Sequence, residues 1–374
     1  MADSALVDLA AALVGIDSIN PDLIAGAAGE HEAAAFAARW LERVGLDVEV
    51  VEPRAGRPSV IAVARGRGGG RTLLLNGHLD TVGVAGMDAP FEPRVEGDRL
   101  YGRGAYDMKA AVAAAMVAAA EAAQIGLRGD VIVTAVADEE VASLGTSAIL
   151  EHVRADGAIV CEPTELRVAV AHRGFAGFEI ETRGRAAHGS RPDLGVDAIA
   201  KMGRVLVELE ALDARVQSGG RHALLGPGSL HASLIEGGQE YSSYPERCVV
   251  TGERRTIPGE SPADVEREVR DAVERAQRAD PGLQADVRML FSREPFEIDA
   301  ADELVAAVAS AAGEPEVVGV PFWADSALIA AAGIPTVLFG PRGEGAHAVV
   351  EWVDLTAVER CREVYVEVAK IVCG

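Results

Sequence analysis

The chain has 374 residues, with 58 Asp and Glu against 35 Lys and Arg, and its formal net charge is −23. The length favours two domains, or one domain with a large insertion. The negative charge argues against nucleic acid or an anionic membrane as a partner. The four cysteines form no CxxC pair, and no apolar run reaches the length of a membrane span, so we expect a cytoplasmic protein without a membrane partner.

The first half of the chain has the pattern of an α/β domain. Residues 1–20 have apolar positions at helical spacing and no basic segment, which predicts an amphipathic helix and not a signal peptide. The alanine-rich stretch 108–124 predicts a second strong helix. A strand at 334–340 and a closing helix at 356–372 return to this pattern near the end of the chain. The β-rich runs of the first half are 46–52, 59–65, 71–77, 130–136 and 157–162.

The middle of the chain is predicted to form a different domain. Its elements follow the order strand, helix, strand, strand, helix, strand, which is a ferredoxin-like split β-α-β arrangement. Ser261 and Pro262 mark the start of the second helix as its N-cap and first residue. We therefore predict an inserted α+β domain at 174–290 within an α/β domain formed by 1–173 and 291–374.

Candidate ligand residues follow the strands of the α/β domain. His78 and Asp80 come after "LLLNG", two residues apart, so that on an extended chain they point to the same side. Glu139 and Glu140 follow the strand at 130–136. The ends of such strands are where open α/β sheets bind ligands. A capping aspartate beside a chance histidine is the alternative explanation for the first pair.

Three further residues extend this set. Asp107 precedes the alanine-rich helix, where it could cap the helix or bind a cation. Glu162 ends a strand, and His347 follows a strand and a glycine-rich loop. Glutamate is a poor turn residue, so its presence at two strand ends indicates a shared role. Imidazole and carboxylate groups are ligands of zinc, and five of them suit two ions that share one carboxylate.

Glu139 is not one of the five candidate ligands, although it is adjacent to the candidate ligand Glu140. Adjacent residues on an extended chain face opposite ways, so only one of the two is expected to contact a given metal ion. The other can face a bound water and act as a general base. This predicts different roles for the two neighbouring glutamates.

Seven motifs, in the same order over nearly the whole chain, resemble the dinuclear zinc aminoacylase/carboxypeptidase family. The family includes acetylornithine deacetylase, succinyl-diaminopimelate desuccinylase, aminoacylases and glutamate carboxypeptidase. The resemblance implies an α/β zinc-hydrolase domain with a mixed central sheet flanked by helices, and an inserted ferredoxin-like lid domain that forms a homodimer. The motifs are GHLDTV, GRGAYDMK, ADEEVASLGT, CEPT, RAAHGSRPDLGVDAI, RRTIPGE and FGPRGEGAHAVVEWV.

The resemblance also implies a set of metal ligands. Asp107 bridges two divalent ions. His78 and Glu162 complete one site, and Glu140 and His347 complete the other. Zinc is the expected metal, and cobalt or manganese would also fit these donors.

Catalytic and substrate-binding roles are implied in the same way. Glu139 is the general base, and Asp80 orients His78. His188 reaches the active site of the partner subunit and stabilises the oxyanion. Arg255 binds a substrate carboxylate, a task that suits the fork of its guanidinium group.

The chain departs from the family pattern at a few positions. Ala110 and Ala111 stand where the family has two glycines after DMK. Ser242 stands where the family often has an asparagine that contacts substrate, so the acyl group and the amino acid stay open. Asp325 is expected to be an N-cap near the site, with a substrate contact as the alternative.

The implied activity is metal-dependent removal of an acyl group from an N-acyl amino acid. A dipeptidase or carboxypeptidase of the same family is an alternative, because the same attack by water cleaves a peptide bond. A metal-free binding protein on the same fold is a second alternative. The presence of all five ligands and the base in the sequence argues against it.

Overall fold

The computed structural model describes residues 4–374, which divide into two units. The first unit contains residues up to 170 together with 298–318 and 324–374, and the second contains 171–297 and 319–323. The predicted N-terminal helix is present at Ser4–Val14, where it buries Leu6, Leu9 and Leu13. Residues 1–3 of the predicted segment lie outside the described residues.

A mixed β-sheet forms the centre of the first unit. Its four middle strands run parallel to one another. The pairings of residues 47–51 with 59–64, 59–64 with 131–136 and 336–338 with 168–172 are antiparallel. Every residue of Leu73–His78 and Val131–Val136 is buried, as expected for parallel strands covered on both faces. The predicted α/β fold with a mixed central sheet is confirmed. Seven of its nine strands, in order across the sheet, are Asp47–Val51, Ser59–Ala64, Val131–Val136, Leu73–His78, Gly157–Val160, Thr336–Leu338 and Val168–His172.

Helices pack against this sheet to form the main hydrophobic core. The alanine-rich helix Ala110–Ile125 packs closely with the closing helix Leu355–Cys373, because methyl side chains let two backbones approach each other. An irregular segment at Ala105–Lys109 precedes it and carries Asp107, whose backbone angles are not helical. The remaining helices of this unit are Ser4–Val14, His31–Arg43, Leu144–His152, Glu303–Ala312 and Ser326–Ala331.

One feature of the alanine-rich helix was not expected from the sequence. The helical segment Ala105–Ile125 is long and apolar enough to cross a membrane, judged by length and composition alone, whereas no apolar run of that length was predicted. In the structure, 72% of its most apolar window is buried inside the protein. The segment is therefore a core helix of the first unit.

A small antiparallel sheet of the first unit joins two distant parts of the chain. It pairs residues 94–101 with residues 343–354, so the loops that carry Asp107 and His347 extend from neighbouring strands. Its strands, in order, are Gly343–Glu344, Trp352–Asp354, Arg99–Tyr101 and Arg94–Glu96.

The main elements of the second unit follow the chain order strand, helix, strand, strand, helix, strand. Helices Ala198–Ser218 and Pro262–Ala279 pack on its sheet and share one hydrophobic cluster with it. Ser261 caps the second helix as predicted, because its hydroxyl accepts the backbone N–H of Asp264 while the Asp264 carboxylate accepts the N–H of Ser261. The antiparallel strands, in order across the sheet, are Ser229–Gly237, Arg247–Thr256, Gly174–Arg183 and Gln284–Arg293.

Candidate active site

Three neighbouring parallel strands of the first unit end in candidate ligands. His78 is the last residue of one strand, Glu139 and Glu140 follow the next, and Glu162 follows the third. Parallel strands end at a common edge of the sheet, so these side chains converge there. The order of the strands therefore brings together groups that are far apart in the sequence.

Asp107 lies between the two candidate histidine ligands. Its Oδ1 is 3.1 Å from Nε2 of His78, and its Oδ2 is 3.4 Å from Nε2 of His347. Each imidazole thus faces its own carboxylate oxygen, as a carboxylate shared by two ions requires. Asp107 does not cap the following helix, which begins at Ala110 with Lys109 at its N-cap position and no side-chain cap.

The other two carboxylates lie near different histidines. Oε1 of Glu162 is 3.8 Å from Nε2 of His78, and Oε2 of Glu140 is 3.1 Å from Nε2 of His347. Donor atoms of His78, Asp107 and Glu140 lie within 4.8 Å of one another. Imidazole nitrogens and carboxylate oxygens at this spacing fit divalent ions such as zinc.

Glu139 and Glu140 lie in a turn, so the alternation of side chains expected for an extended backbone does not apply to them. A turn begins at Asp138, whose φ of +70° lies in the left-handed region. Because of this turn, Glu139 lies within reach of His78 and Glu162, while Glu140 lies within reach of His78 and Asp107. What distinguishes the two glutamates is the contact between Glu140 and His347.

Asp80 contacts more residues than His78, the one residue that it was expected to orient. Its backbone carbonyl accepts the Nδ1–H of His78 at 2.9 Å, which leaves Nε2 for a metal ion, whereas its Oδ1 is 3.6 Å from Nδ1. The carboxylate accepts the backbone N–H groups of Glu139 at 3.0 Å and Glu140 at 3.1 Å. Asn20 donates to the same carboxylate at 2.8 Å. Asp80 thus positions a histidine and both glutamates.

Asp138, the first of the three consecutive acids, has only structural partners. Its carboxylate accepts from Arg57 at 2.8 Å and from Asn20 at 3.0 Å, and its N–H donates to Glu30 at 3.1 Å. Arg57 and Glu30 are buried and form a two-point ion pair with both distances at 2.6 Å. This network holds the turn before Glu139 in place.

The buried carboxylates of the cluster raise one another's pKa values. Burial, followed by the charge of Glu162, raises the pKa of Glu139 well above its ordinary value. Burial, followed by the charge of Asp107, also raises the pKa values of Glu162 and Glu140. Hydrogen bonds to Asp107 and then Glu140 raise the pKa of His347 to about 10. A cation bound among these groups would relieve the repulsion between their carboxylates.

We expect metal binding to stabilise the protein more strongly as the pH rises. The raised pKa values of His347 and Glu140 mean that the metal-free folded state holds protons that the unfolded state has lost, so its stability falls with rising pH. For His347 this window runs from the ordinary value of 6.5 to about 10. Bound ions displace these protons. Thermal unfolding of metal-stripped protein with and without zinc should show a larger shift in Tm at about pH 8 than at about pH 6. Equal shifts would contradict this linkage.

The segments that carry two of the predicted residues of the second unit are adjacent. His188 is exposed, and its Nδ1 is 2.8 Å from Oγ of Ser190. The backbone N–H of Gly189 donates to the carbonyl of Ser242 at 2.7 Å. The segments that carry His188 and Ser242 are therefore paired within this unit.

Arg255 lies on the strand Arg247–Thr256 of the second unit. Its Nε is 2.6 Å from Oε1 of Glu253, and 34% of its side chain is exposed. The preceding Arg254 is buried and forms ion pairs with Glu260 and Glu268. Of the two arginines in RRTIPGE, Arg255 is thus the one that a ligand can reach.

Asp325 occupies the N-cap position of Ser326–Ala331, as predicted, but its side chain makes no capping hydrogen bond. It is buried, and its Oδ2 accepts a hydrogen bond from Thr146 at 2.5 Å. Thr146 belongs to the helix that follows the acidic turn. Asp325 therefore contacts the segment that leads away from Glu139 and Glu140.

Several residues that support the site were not identified from the sequence. Two of them lie in the motifs GRGAYDMK and FGPRGEGAHAVVEWV, four residues before Asp107 and four residues after His347. The other two carry no local signal, because their role depends on contacts with residues far along the chain. These residues are Arg103, Glu351, Asn20 and Arg57.

The chain is similar to known proteins in sequence and in fold. Residues 74–371 match the profile of Peptidase family M20/M25/M40. An acetylornithine deacetylase of Myxococcus xanthus is 32% identical over 367 residues, which cover 95% of this chain and 93% of that relative. An M20 family metallo-carboxypeptidase from Sulfolobus solfataricus has a TM-score of 0.81, covering 99% of both chains at 18% identity. A dinuclear metal binding peptidase of the M20 family from Bacillus subtilis has a TM-score of 0.76, covering 99% of this chain and 98% of that one at 19% identity.

The profile match covers more than half of the chain, and the identity to the deacetylase extends over nearly all of it. The chain therefore belongs to Peptidase family M20/M25/M40 and is a hydrolase that acts on amide or peptide bonds.

Proposed function

We propose that the protein removes the acyl group from an N-acyl amino acid with the help of two divalent metal ions. The observation that carries this proposal is the similarity to acetylornithine deacetylase over 95% of the chain, combined with the cluster of imidazole and carboxylate donors in the first unit. Zinc is the proposed metal, and cobalt or manganese would also suit these donors.

In this proposal Asp107 is shared by the two metal sites. His78 and Glu162 complete one site, and Glu140 and His347 complete the other, which agrees with the separate contacts of the two histidines. When bound, the ions supply Lewis acidity that lowers the pKa of water and polarises a carbonyl group.

Glu139 is assigned the transfer of a proton. Its carboxylate accepts a proton from the attacking water and then donates that proton to the leaving amine, which returns the carboxylate to its starting state. The hydrogen bond from its backbone N–H to Asp80 holds it beside His78 and Glu162. Asp80 is thus assigned the positioning of both the base and the ligand His78.

We assign a homodimer to this protein, with the second unit as the interface. The strand Ser229–Gly237 lies at an edge of its sheet, and Leu234 and Ile235 on it are 70% and 58% exposed. An edge strand with exposed apolar side chains is a ready surface for pairing with a second copy. In such a dimer, His188 is proposed to stabilise the oxyanion in the active site of the partner subunit.

Mixing two inactive variants tests this role of His188. His188→Ala alone should lose catalysis while it keeps its metal ions. In dimers that combine it with Glu139→Gln, one of the two sites pairs an intact Glu139 with an intact His188. Coexpression should therefore restore about a quarter of the active sites of the wild type. A mixture without activity, or an unaltered rate of the single His188→Ala variant, would remove His188 from this role.

Arg255 is the proposed partner of the substrate carboxylate, and Ser242 the residue beside His188 that contacts the same substrate. The partial exposure of Arg255 and the planar fork of its guanidinium group support this assignment. Because Ser242 replaces the usual asparagine, the amino acid and the acyl group are left to experiment.

An amine-release screen tests the proposed activity. The full chain, loaded with zinc or cobalt, is assayed with N-acetyl, N-succinyl and N-formyl amino acids and with dipeptides. Release of the amino acid from an N-acyl compound supports the proposal. Preference for dipeptides indicates a peptidase instead, and purified protein without metal or activity indicates a binding protein.

The cytoplasm is the proposed location. The four cysteines are buried free thiols, which suits a reducing compartment. The net charge of −23 supports a small-molecule substrate without nucleic acid as a partner.

A further inference from the structure

A buried ion pair lies next to the bridging residue Asp107, and the proposed mechanism does not use it. Nη1 of Arg103 is 2.6 Å from Oε2 of Glu351, and the two side chains are 3% and 0% exposed. The residues are separated by 248 positions in the chain. Burying two charges is costly unless each one is fully hydrogen-bonded, so the partners of this pair indicate its purpose.

Glu351 is hydrogen-bonded to the turn that carries Asp107. Its Oε1 accepts the backbone N–H of Tyr106 at 2.9 Å and that of Asp107 at 3.1 Å. Its Oε2 accepts the N–H of Gly104 at 3.1 Å, in addition to the guanidinium group of Arg103. All four partners are donors, so the carboxylate fixes the backbone from Gly104 to Asp107 at several points.

Arg103 extends this contact to the segment that carries His347. Its Nη2 donates at 3.0 Å to the carbonyl of Ala348, the residue after His347, and at 3.0 Å to the carbonyl of Gly83. The backbone of His347 has a φ of +61°, a conformation that a residue other than glycine adopts when its neighbours hold it there. One ion pair thus joins the segments of Asp107 and His347.

We propose that Arg103 and Glu351 are positioning residues that hold Asp107 and His347 at the separation needed to bind the metal ion at the Glu140–His347 site. The inference rests on the proposed metal ligands, and it goes beyond them because neither residue contacts a metal-binding atom. A pair that only stabilises the fold would lower Tm and leave the metal affinity of the folded protein unchanged. The two roles therefore differ in a measurable quantity.

Glu351→Gln is the sharpest test. An amide has one oxygen and one NH2 group, and each side of Glu351 faces only donors, so the NH2 group meets an N–H donor in either orientation. We expect the Kd for the ion at the Glu140–His347 site to rise about 10- to 100-fold, as for other residues that support metal ligands. The Kd for the ion at the His78–Glu162 site should change less than the Kd at the Glu140–His347 site.

The matched control is Glu344→Gln, which changes an exposed glutamate on the strand Gly343–Glu344 of the same small sheet. Arg103→Lys is the second variant, because lysine keeps the charge but does not supply the guanidinium fork that joins Glu351 to two carbonyls. Each metal-stripped full chain is titrated with cobalt, and the visible absorption of the bound ion is followed. Circular dichroism checks that each variant is folded.

The outcomes separate the two proposals. A wild-type chain that fails to bind two cobalt ions contradicts the metal ligands themselves. Wild-type titration curves for folded Glu351→Gln and Arg103→Lys, with two ions bound by the wild type, overturn the positioning role and leave the proposed function intact. If Glu351→Gln does not fold, the curve of Arg103→Lys decides. Weaker binding of one ion in these variants, but not in Glu344→Gln, supports the inference.

Discussion

Replacing Glu139 with glutamine is expected to lower kcat by about 100- to 10,000-fold, the range that general acid–base catalysis contributes. Glutamine has nearly the same shape as glutamate but cannot accept the proton of the attacking water. The backbone hydrogen bond from residue 139 to Asp80 is kept, so the turn should stay in place. Metal content, measured on the purified variant, should equal that of the wild type.

Glu151→Gln is the matched control for this experiment, because Glu151 is an exposed glutamate on the helix Leu144–His152 that follows the acidic turn. Its turnover should equal that of the wild type. Turnover of Glu139→Gln close to that of the wild type would show that another group transfers the proton. Loss of one metal ion from this variant would instead make Glu139 a ligand, which its position beside His78 and Glu162 also permits.

Asp107→Asn is expected to have the second large effect, since it affects both metal sites at once. The carboxylate faces His78 with one oxygen and His347 with the other. An amide has only one oxygen, so it can offer a ligand atom on only one of these two sides. Both Kd values should rise by more than about 100-fold, beyond the loss expected for a residue that only supports a ligand. Hydrolysis should fall to the background rate.

Cobalt titration of the metal-stripped variant measures both affinities, and metal analysis after dialysis gives the stoichiometry. Asp98→Asn, which changes an exposed aspartate of the first unit, is the control and should bind two ions. If Asp107→Asn loses only one ion, the carboxylate serves a single site. The two sites would then be independent, and the bridging assignment would be wrong.

Much of the fold follows from local patterns in the sequence. The buried strands Leu73–His78 and Val131–Val136 were expected from their apolar runs, and the alanine-rich helix from its composition. Ser261 caps its helix as expected, because a cap depends on residues only three positions apart. Local spacing determines these features, so no knowledge of distant contacts is needed.

The composition of the candidate site could be predicted for a similar reason. His78 ends an apolar strand, Glu140 and Glu162 follow two others, and parallel strands place such residues at one edge. The direction of the side chains could not be predicted. Glu139 and Glu140 lie in a turn that begins at Asp138, which adopts a left-handed backbone and is held by contacts with distant residues.

The sequence therefore predicts an α/β domain and the acids and histidines at the ends of its strands, and its motifs predict a hydrolase with a ferredoxin-like insertion. The tertiary structure adds how these groups are held. The carboxylate of Asp80 supports both glutamates, and the ion pair of Arg103 and Glu351 joins segments 248 residues apart. Such contacts cannot be recognised from a regular spacing in the sequence. A buried polar group needs a partner that is close in space, and that partner can lie at any distance along the chain.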